Sequence, residues 1–140
     1  MKVLVDTNLF LDVLFERDGL ADDSQAVLDW CGENRGNAYI AWHTVANLYY
    51  IGTKSVGKTE VMPYLDAILS VFEVSPVDSH AARTARSLNL SDFEDALQAA
   101  AALTAEADFI VTRNQKDFRN SPVKAITPSA FLKIANGSGR

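Results

Sequence analysis

The chain has 140 residues, of which 48% are hydrophobic and 22% charged, and this composition suits one globular domain that buries its own core. A formal net charge of -5 argues against a broad DNA-binding face, which would be basic. The single cysteine, Cys31, excludes an internal disulfide, and with His43 and His80 it cannot complete a structural zinc site.

Short apolar runs alternate with longer runs of helical periodicity along the chain. The predicted strands are Lys2–Val5, Ala38–Ala41, Val71–Val74, Phe109–Thr112 and Val123–Ile126. The predicted helices are Leu9–Phe15, Asp22–Asn34, Thr44–Ser55, Lys58–Leu69, Ser79–Leu88, Asp92–Ala105 and Pro128–Ala135. Strands separated by helices imply βαβ crossovers, so we predict an α/β fold, a three-layer α/β/α sandwich with a central, mainly parallel sheet of about five strands.

We expect a single domain at residues 1–135 and a flexible tail at residues 136–140. No run of about 18 apolar residues is present, so no membrane helix is expected. The low cysteine count fits a reducing compartment, which predicts a cytoplasmic location.

Asp6 closes the first predicted strand and precedes the first helix directly. In a parallel sheet, the strand ends and the following helix starts share one edge, where ligands bind. Asp6 is therefore either the N-cap of that helix or part of a site at this edge.

Asn47 lies on the helix that follows the second predicted strand. Thr44 and Asn47 can form a variant capping box, or Asn47 can face the same edge of the sheet. The neighbouring Tyr49 and Tyr50 could stack on bases, although we expect at least one of them in the core.

Two acids mark the start of the long alanine-rich helix. Ser91–Glu94 has the pattern of a capping box, which predicts a helix start. Asp92 and Asp95 lie one turn apart on a face that continues through alanines. At the top of a buried stripe, Asp95 needs a partner or a cation. Alternatively both acids complement the positive helix end, an interpretation that suits Asp92 better.

A polar run follows the fourth predicted strand and reads Thr112-Arg113-Asn114-Gln115-Lys116-Asp117-Phe118. Asn114 could supply a metal ligand, and Asp117 could be a further acid. Basic residues recur at a spacing of three and could face a phosphate backbone or form a solvated helical turn: Arg113, Lys116 and Arg119.

Acids that converge from separate strand ends suit Mg²⁺ or Mn²⁺, which prefer oxygen ligands and keep several waters. Such an ion lowers the pKa of water and offsets charge on a phosphoryl group. The chain has no Ser-His-Asp order, glycine-rich phosphate loop or cysteine nucleophile that points to another chemistry.

Three segments together resemble the PIN-domain family, in the order that this family uses: Val5-Asp6-Thr7-Asn8, Asp92-Phe93-Glu94-Asp95-Ala96-Leu97-Gln98-Ala99-Ala100 and Val111–Phe118. The resemblance spans nearly the whole chain and is to VapC-type toxin ribonucleases. It implies a Mg²⁺- or Mn²⁺-dependent endoribonuclease that acts on single-stranded RNA. It also implies a toxin with a small antitoxin partner, and a homodimer.

The resemblance also implies roles for individual residues. The implied catalytic acids are Asp6, Asp95 and Asp117; the implied metal ligands are Asp6, Asp92, Asp95 and Asn114; the implied substrate contacts are Asn47, Thr112, Arg113, Asn114 and Lys116. Asn47 departs from the family, because many PIN domains have Glu near this position. A neutral amide removes one negative charge from the site, and Asp92 could supply it.

Two other functions remain open at this point. Asn47 favours a degenerate PIN domain that binds RNA or protein without cutting, and Mn²⁺ binding would separate this function from a nuclease. A phosphoryl-transfer enzyme with Asp6 as nucleophile ranks last, because Asn8 stands where such a site needs a second acid.

Overall fold

The computed structural model describes residues 1–138 and has a five-stranded, wholly parallel sheet at its centre. The strands are β1 Val3–Val5, β2 Ala38–Ile40, β3 Glu73–Val74, β4 Phe109–Val111 and β5 Ala125–Ile126, in the spatial order β3-β2-β1-β4-β5. The helices are α1 Thr7–Leu14, α2 Ala21–Glu33, α3 Trp42–Val56, α4 Lys58–Val71, α5 Ser79–Ser87, α6 Phe93–Thr104 and α7 Pro128–Lys133. A 3₁₀ turn, Gln115–Phe118, follows β4, and a wide helical turn, Ile134–Ser138, follows α7.

Helices cover both faces of the sheet. Val3 and Val5 of β1 point into a core shared with α1, α2, α3, α4 and α7. Leu4 points the other way, into a core with residues of α6. Because successive strand residues face opposite sides, a strand between two helical layers is apolar at every position. The predicted three-layer sandwich is confirmed.

Alanines of α6 let this helix approach the sheet closely. Ala99–Ala102 are all buried, and α6 contacts both β1 and β4. On its outer side, Ala96 and Ala100 pack against Ala81 and Ala85 of α5. This packing brings the first turn of α6 to the carboxyl edge of the sheet, beside the end of β1.

The start of α6 differs from the predicted capping box. Its N-cap is Asp92, one residue beyond Ser91, and the Oδ1 atom of Asp92 accepts hydrogen bonds from the backbone N–H groups of Glu94 (2.7 Å) and Asp95 (3.2 Å). The capping box that began at Ser91 is therefore wrong. The aspartate side chain alone satisfies two of the free N–H groups of the first turn.

Two expectations for α3 are also wrong. The helix begins at Trp42, so Thr44 lies inside it and does not cap it with Asn47. Tyr49 and Tyr50 are 41% and 66% exposed, so neither lies in the core.

The end of the chain was predicted as a flexible tail at residues 136–140. Residues 136–138 close the turn Ile134–Ser138, in which Asn136 and Gly137 have non-helical backbone angles, and residues 139 and 140 lie outside the described residues. Within residues 1–138, no helix combines the length and apolarity needed to cross a membrane.

Candidate active site

The ends of the neighbouring strands β1 and β4 are joined through Asp6. Its backbone N–H donates to the carbonyl of Val111 (3.1 Å), and its Oδ2 accepts a hydrogen bond from the hydroxyl of Thr112 (2.9 Å). Asp6 holds the N-cap position of α1, but its side chain makes no capping hydrogen bond and is 5% exposed. Burial raises the pKa of this carboxyl, and the hydrogen bond from Thr112 opposes the shift.

A cavity of about 300 Å³ opens at this edge of the sheet. It is lined by five acids, which are Asp6, Asp92, Glu94, Asp95 and Asp117. The amide side chains in its wall are Asn8, Asn47, Gln98 and Asn114. No lysine or arginine among the described residues lines it. The fold thus gathers six of the predicted site residues in one negatively charged cavity, namely Asp6, Asn47, Asp92, Asp95, Asn114 and Asp117.

Asp95 is the acid most affected by this arrangement. Burial and, in decreasing order, the charges of Asp6, Asp92, Asp117 and Glu94 together raise its pKa to about 7. Without a cation, the cavity therefore favours the neutral form of Asp95. A divalent cation would reverse that preference, because it favours every ionised acid around it.

A buried polar cluster supports the floor of the cavity. The hydroxyl oxygens of Thr7 and Thr44 lie 2.8 Å apart, and the amide nitrogen of Gln98 donates to both, at 3.0 and 3.2 Å. Gln98 is 2% exposed, and its Oε1 has no hydrogen-bond partner within residues 1–138. Sequence reasoning missed Gln98, although a polar residue one turn after Asp95 on an alanine-rich face was a usable signal.

Asn47 and Glu94 meet across the rim of the cavity. The Asn47 Nδ2 donates to the Glu94 Oε1 at 2.8 Å and so links α3 to α6. His43, one turn before Asn47, lies near the same acid: burial lowers its pKa, and the charge of Glu94 opposes this shift. Glu94 was not among the predicted site residues.

A second buried network holds the segment after β4 in place. Asp12 of α1 is fully buried and accepts hydrogen bonds from Arg113 Nε (2.9 Å) and Nη2 (3.1 Å). It also accepts from Arg17 Nη1 (3.0 Å) and from Ser24 Oγ (3.1 Å). Sequence reasoning missed Asp12, although a lone acid within an apolar helical run was a signal.

These networks include two of the predicted substrate residues, Arg113 and Thr112. The guanidinium of Arg113 forms a two-pronged ion pair with Asp12. Thr112 is fully buried, donates to Asp6 and accepts a hydrogen bond from the backbone N–H of Asn114 (3.1 Å). Thr112 thus links Asp6 to Asn114, Arg113 is held by Asp12, and substrate contact by either residue stays a prediction.

Lys116 lies on the other side of the 3₁₀ turn from the acids. Asp117 lines the acidic cavity, whereas Lys116 lines a separate cavity of about 610 Å³ with Arg119 and Lys124. None of these three cations forms an ion pair within the part of the chain that the structure describes. The predicted trio of Arg113, Lys116 and Arg119 is thus divided between an ion pair and a basic cavity.

The donor groups of the acidic cavity suit Mg²⁺ or Mn²⁺. They are carboxylate and amide oxygens, and the unpartnered Oε1 of Gln98 is a buried acceptor that a hydrated cation can satisfy. Among residues 1–138, however, no three acids lie close enough together to form a ready-made metal centre. Binding would require the carboxylates to draw together, which their mutual repulsion opposes until a cation is present.

Comparison with known proteins gives one family and a set of solved structures. A family model described as "PIN domain" matches residues 2–116. VapBC2 from Rickettsia felis, solved with a promoter DNA fragment, is 22% identical with a TM-score of 0.71, covering 91% of this chain and 98% of that chain. A toxin–antitoxin complex from Klebsiella pneumoniae is 23% identical with a TM-score of 0.66 and the same coverages, 91% and 98%.

DNA-bound VapBC from Salmonella typhimurium is similar too, with 18% identity, a TM-score of 0.70 and coverages of 91% of this chain and 98% of that chain. At these identities the similarity shows a shared fold. No curated protein sequence matches the chain significantly.

Proposed function

This chain belongs to the PIN-domain family, and we propose that it is a Mg²⁺- or Mn²⁺-dependent endoribonuclease that cuts single-stranded RNA. The observation that carries the proposal is the cavity at the carboxyl edge of the sheet, where acids from separate elements converge. None of the described residues that line this cavity is a lysine or an arginine. A fold that gathers like charges in this way loses stability unless a cation binds there.

We assign the catalytic roles to three acids, Asp6, Asp95 and Asp117. When bound, the divalent cation would offset the negative charge of the phosphoryl group and make water more acidic. Asp6 and Asp95 would hold it, with Asn114 and Asp92 as further oxygen donors. Thr112 keeps one oxygen of Asp6 fixed, so the other oxygen can face the cavity. Asp117, on the wall formed by the 3₁₀ turn, would accept a proton from the attacking water.

The substrate contacts in this proposal lie on both sides of the 3₁₀ turn. Asn114 and Asn47 face the acidic cavity, where the cleaved phosphodiester would sit. Lys116, with Arg119 and Lys124, lines the neighbouring basic cavity and would contact the next phosphates of the RNA. Local positive charge of this kind can bind RNA even though the chain is acidic overall.

The proposed biological role is that of a toxin with a small antitoxin partner. It is supported by the similar structures, which are described as VapBC or toxin–antitoxin complexes. A homodimer is part of the proposal, supported by exposed large apolar side chains on α3, namely Trp42, Tyr49 and Tyr50. A cytoplasmic location is also proposed, on the cysteine content.

The test is cleavage of an RNA that contains both paired and single-stranded regions, with Mn²⁺, with Mg²⁺ and with a chelator. We expect metal-dependent cutting in the single-stranded regions that is lost in Asp95→Asn. Cutting should persist in Asp66→Asn, which removes an exposed acid of α4 that does not line the cavity.

A folded wild-type protein that cuts nothing under any of these conditions would refute the nuclease. That result would favour the second candidate, a PIN domain that binds RNA or protein without catalysis. The observation behind this candidate is the neutral amide of Asn47 in the wall of the cavity.

A further inference from the structure

We propose that Glu94 is a further carboxylate of the metal site and that Asn47, on the facing helix, positions it. This inference rests on the proposed function, because it concerns the same cavity. It assigns to the pair Asn47–Glu94 the charge that the amide at position 47 does not itself carry.

The position of Glu94 does not follow from helix geometry alone. Consecutive residues of a helix point about 100° apart, so Glu94 and Asp95 would by default face different directions. Both nevertheless line the acidic cavity. The hydrogen bond from Asn47 Nδ2 to Glu94 Oε1, at 2.8 Å between residues 47 positions apart, holds the side chain of Glu94 over the cavity.

Asp92 is a weaker candidate for the same role, because it already has a structural one. Its Oδ1 caps α6 by accepting from two backbone N–H groups. Glu94 has no such role: it is exposed, and an exposed hydrogen bond contributes little stability. The main consequence of the Asn47–Glu94 contact is therefore where it places a negative charge.

An independent observation points to a ligand in this cavity. The Oε1 of Gln98 lies in a side chain that is 2% exposed, belongs to the cavity wall and has no hydrogen-bond partner within residues 1–138. A buried acceptor without a donor is costly. A hydrated cation among the acids would bring water protons within its reach.

The side chains of Asn47 and Glu94 are complementary, because the amide donates a hydrogen bond that the carboxylate accepts. Only an amide or another donor at position 47 can donate to the Glu94 carboxylate, whereas an acid at that position would repel it when no cation is bound. Asn47 therefore retains Glu94 at the rim of the cavity, and its own Oδ1 makes no hydrogen bond among the described residues.

The experiment is calorimetric titration of Mn²⁺ into the full chain, with urea unfolding as a check on each variant. Glu94→Gln should weaken Mn²⁺ binding about tenfold or more, within the range seen when groups around a metal site are lost. Asn47→Ala should weaken it by less. The double variant should bind no more weakly than Glu94→Gln alone, because Asn47 acts through Glu94.

The matched control is Glu60→Gln, which removes an exposed acid from the first turn of α4 and should leave Mn²⁺ binding unchanged. If Glu94→Gln binds as tightly as wild type while Asp95→Asn does not bind, this inference fails and the proposed function stands. If Asn47→Ala weakens binding equally with or without Glu94, Asn47 binds the cation directly and the positioning role is refuted. If the wild type binds no Mn²⁺, both fail.

Discussion

Replacement of Arg113 by alanine tests whether the ion pair with Asp12 holds the segment that follows β4. The Asp12 side chain is fully buried, and that of Arg113 is 26% exposed. Arg113 supplies two of the four side-chain hydrogen bonds to this carboxylate. Removal of one partner of a buried pair costs about 3–5 kcal/mol. Because Arg17 remains and Arg113 is partly exposed, we expect the lower end, about 3 kcal/mol.

The assay is urea unfolding at neutral pH, in which the midpoint should fall while the slope stays constant. Arg119→Ala is the matched control: Arg119 is exposed, and its loss should change the free energy of unfolding by less than about 0.5 kcal/mol. Arg113→Lys should recover only part of the loss, because an ammonium cannot form the two-pronged contact. A loss below about 1 kcal/mol in Arg113→Ala would show that the ion pair with Asp12 does not hold the segment after β4 in place.

Two further predictions concern stability. The pKa of Asp95 in the folded protein, about 7, lies above its ordinary value of 3.8. The protonated form of Asp95 therefore contributes its full stabilisation below about pH 4, and this contribution is lost as the pH rises through 7. With chelator present, Asp95→Asn should therefore raise the free energy of unfolding at pH 8 by about 1–2 kcal/mol, a range that allows for solvent screening of this partly exposed group. At pH 4 the substitution should leave the free energy of unfolding unchanged. Equal stabilities of the two proteins at pH 8 would contradict this prediction. Gly52→Ala would place a Cβ 2.8 Å from Val61 Cγ2 and 3.2 Å from Leu14 Cδ2, so thermal unfolding should show a loss of about 1–3 kcal/mol. Gly32→Ala, in open space on α2, should instead be neutral or slightly stabilising, and equal losses in both variants would exclude the steric cause.

The sequence by itself determined the order and type of the elements. All five strands and all seven helices of the structure overlap predicted ones, with ends that differ by a few residues. The reason is local: apolar periodicity and turn residues act over short stretches of chain. Because parallel strands end at one edge, the sequence also indicated that Asp6, Asp95 and Asp117 would share a site.

The tertiary structure alone decided which side chains pair. Gln98 donates to Thr7 across 91 residues of chain, and Arg113 reaches Asp12 across 101 residues. No periodicity encodes such partners, because they depend on the directions in which side chains leave packed helices and strands. The same packing made Arg113 the ion-pair partner of the buried Asp12, a contact that its sequence position did not indicate. It also placed Glu94 against Asn47, because the alanines of α6 bring that helix close to the sheet and its first turn within reach of α3.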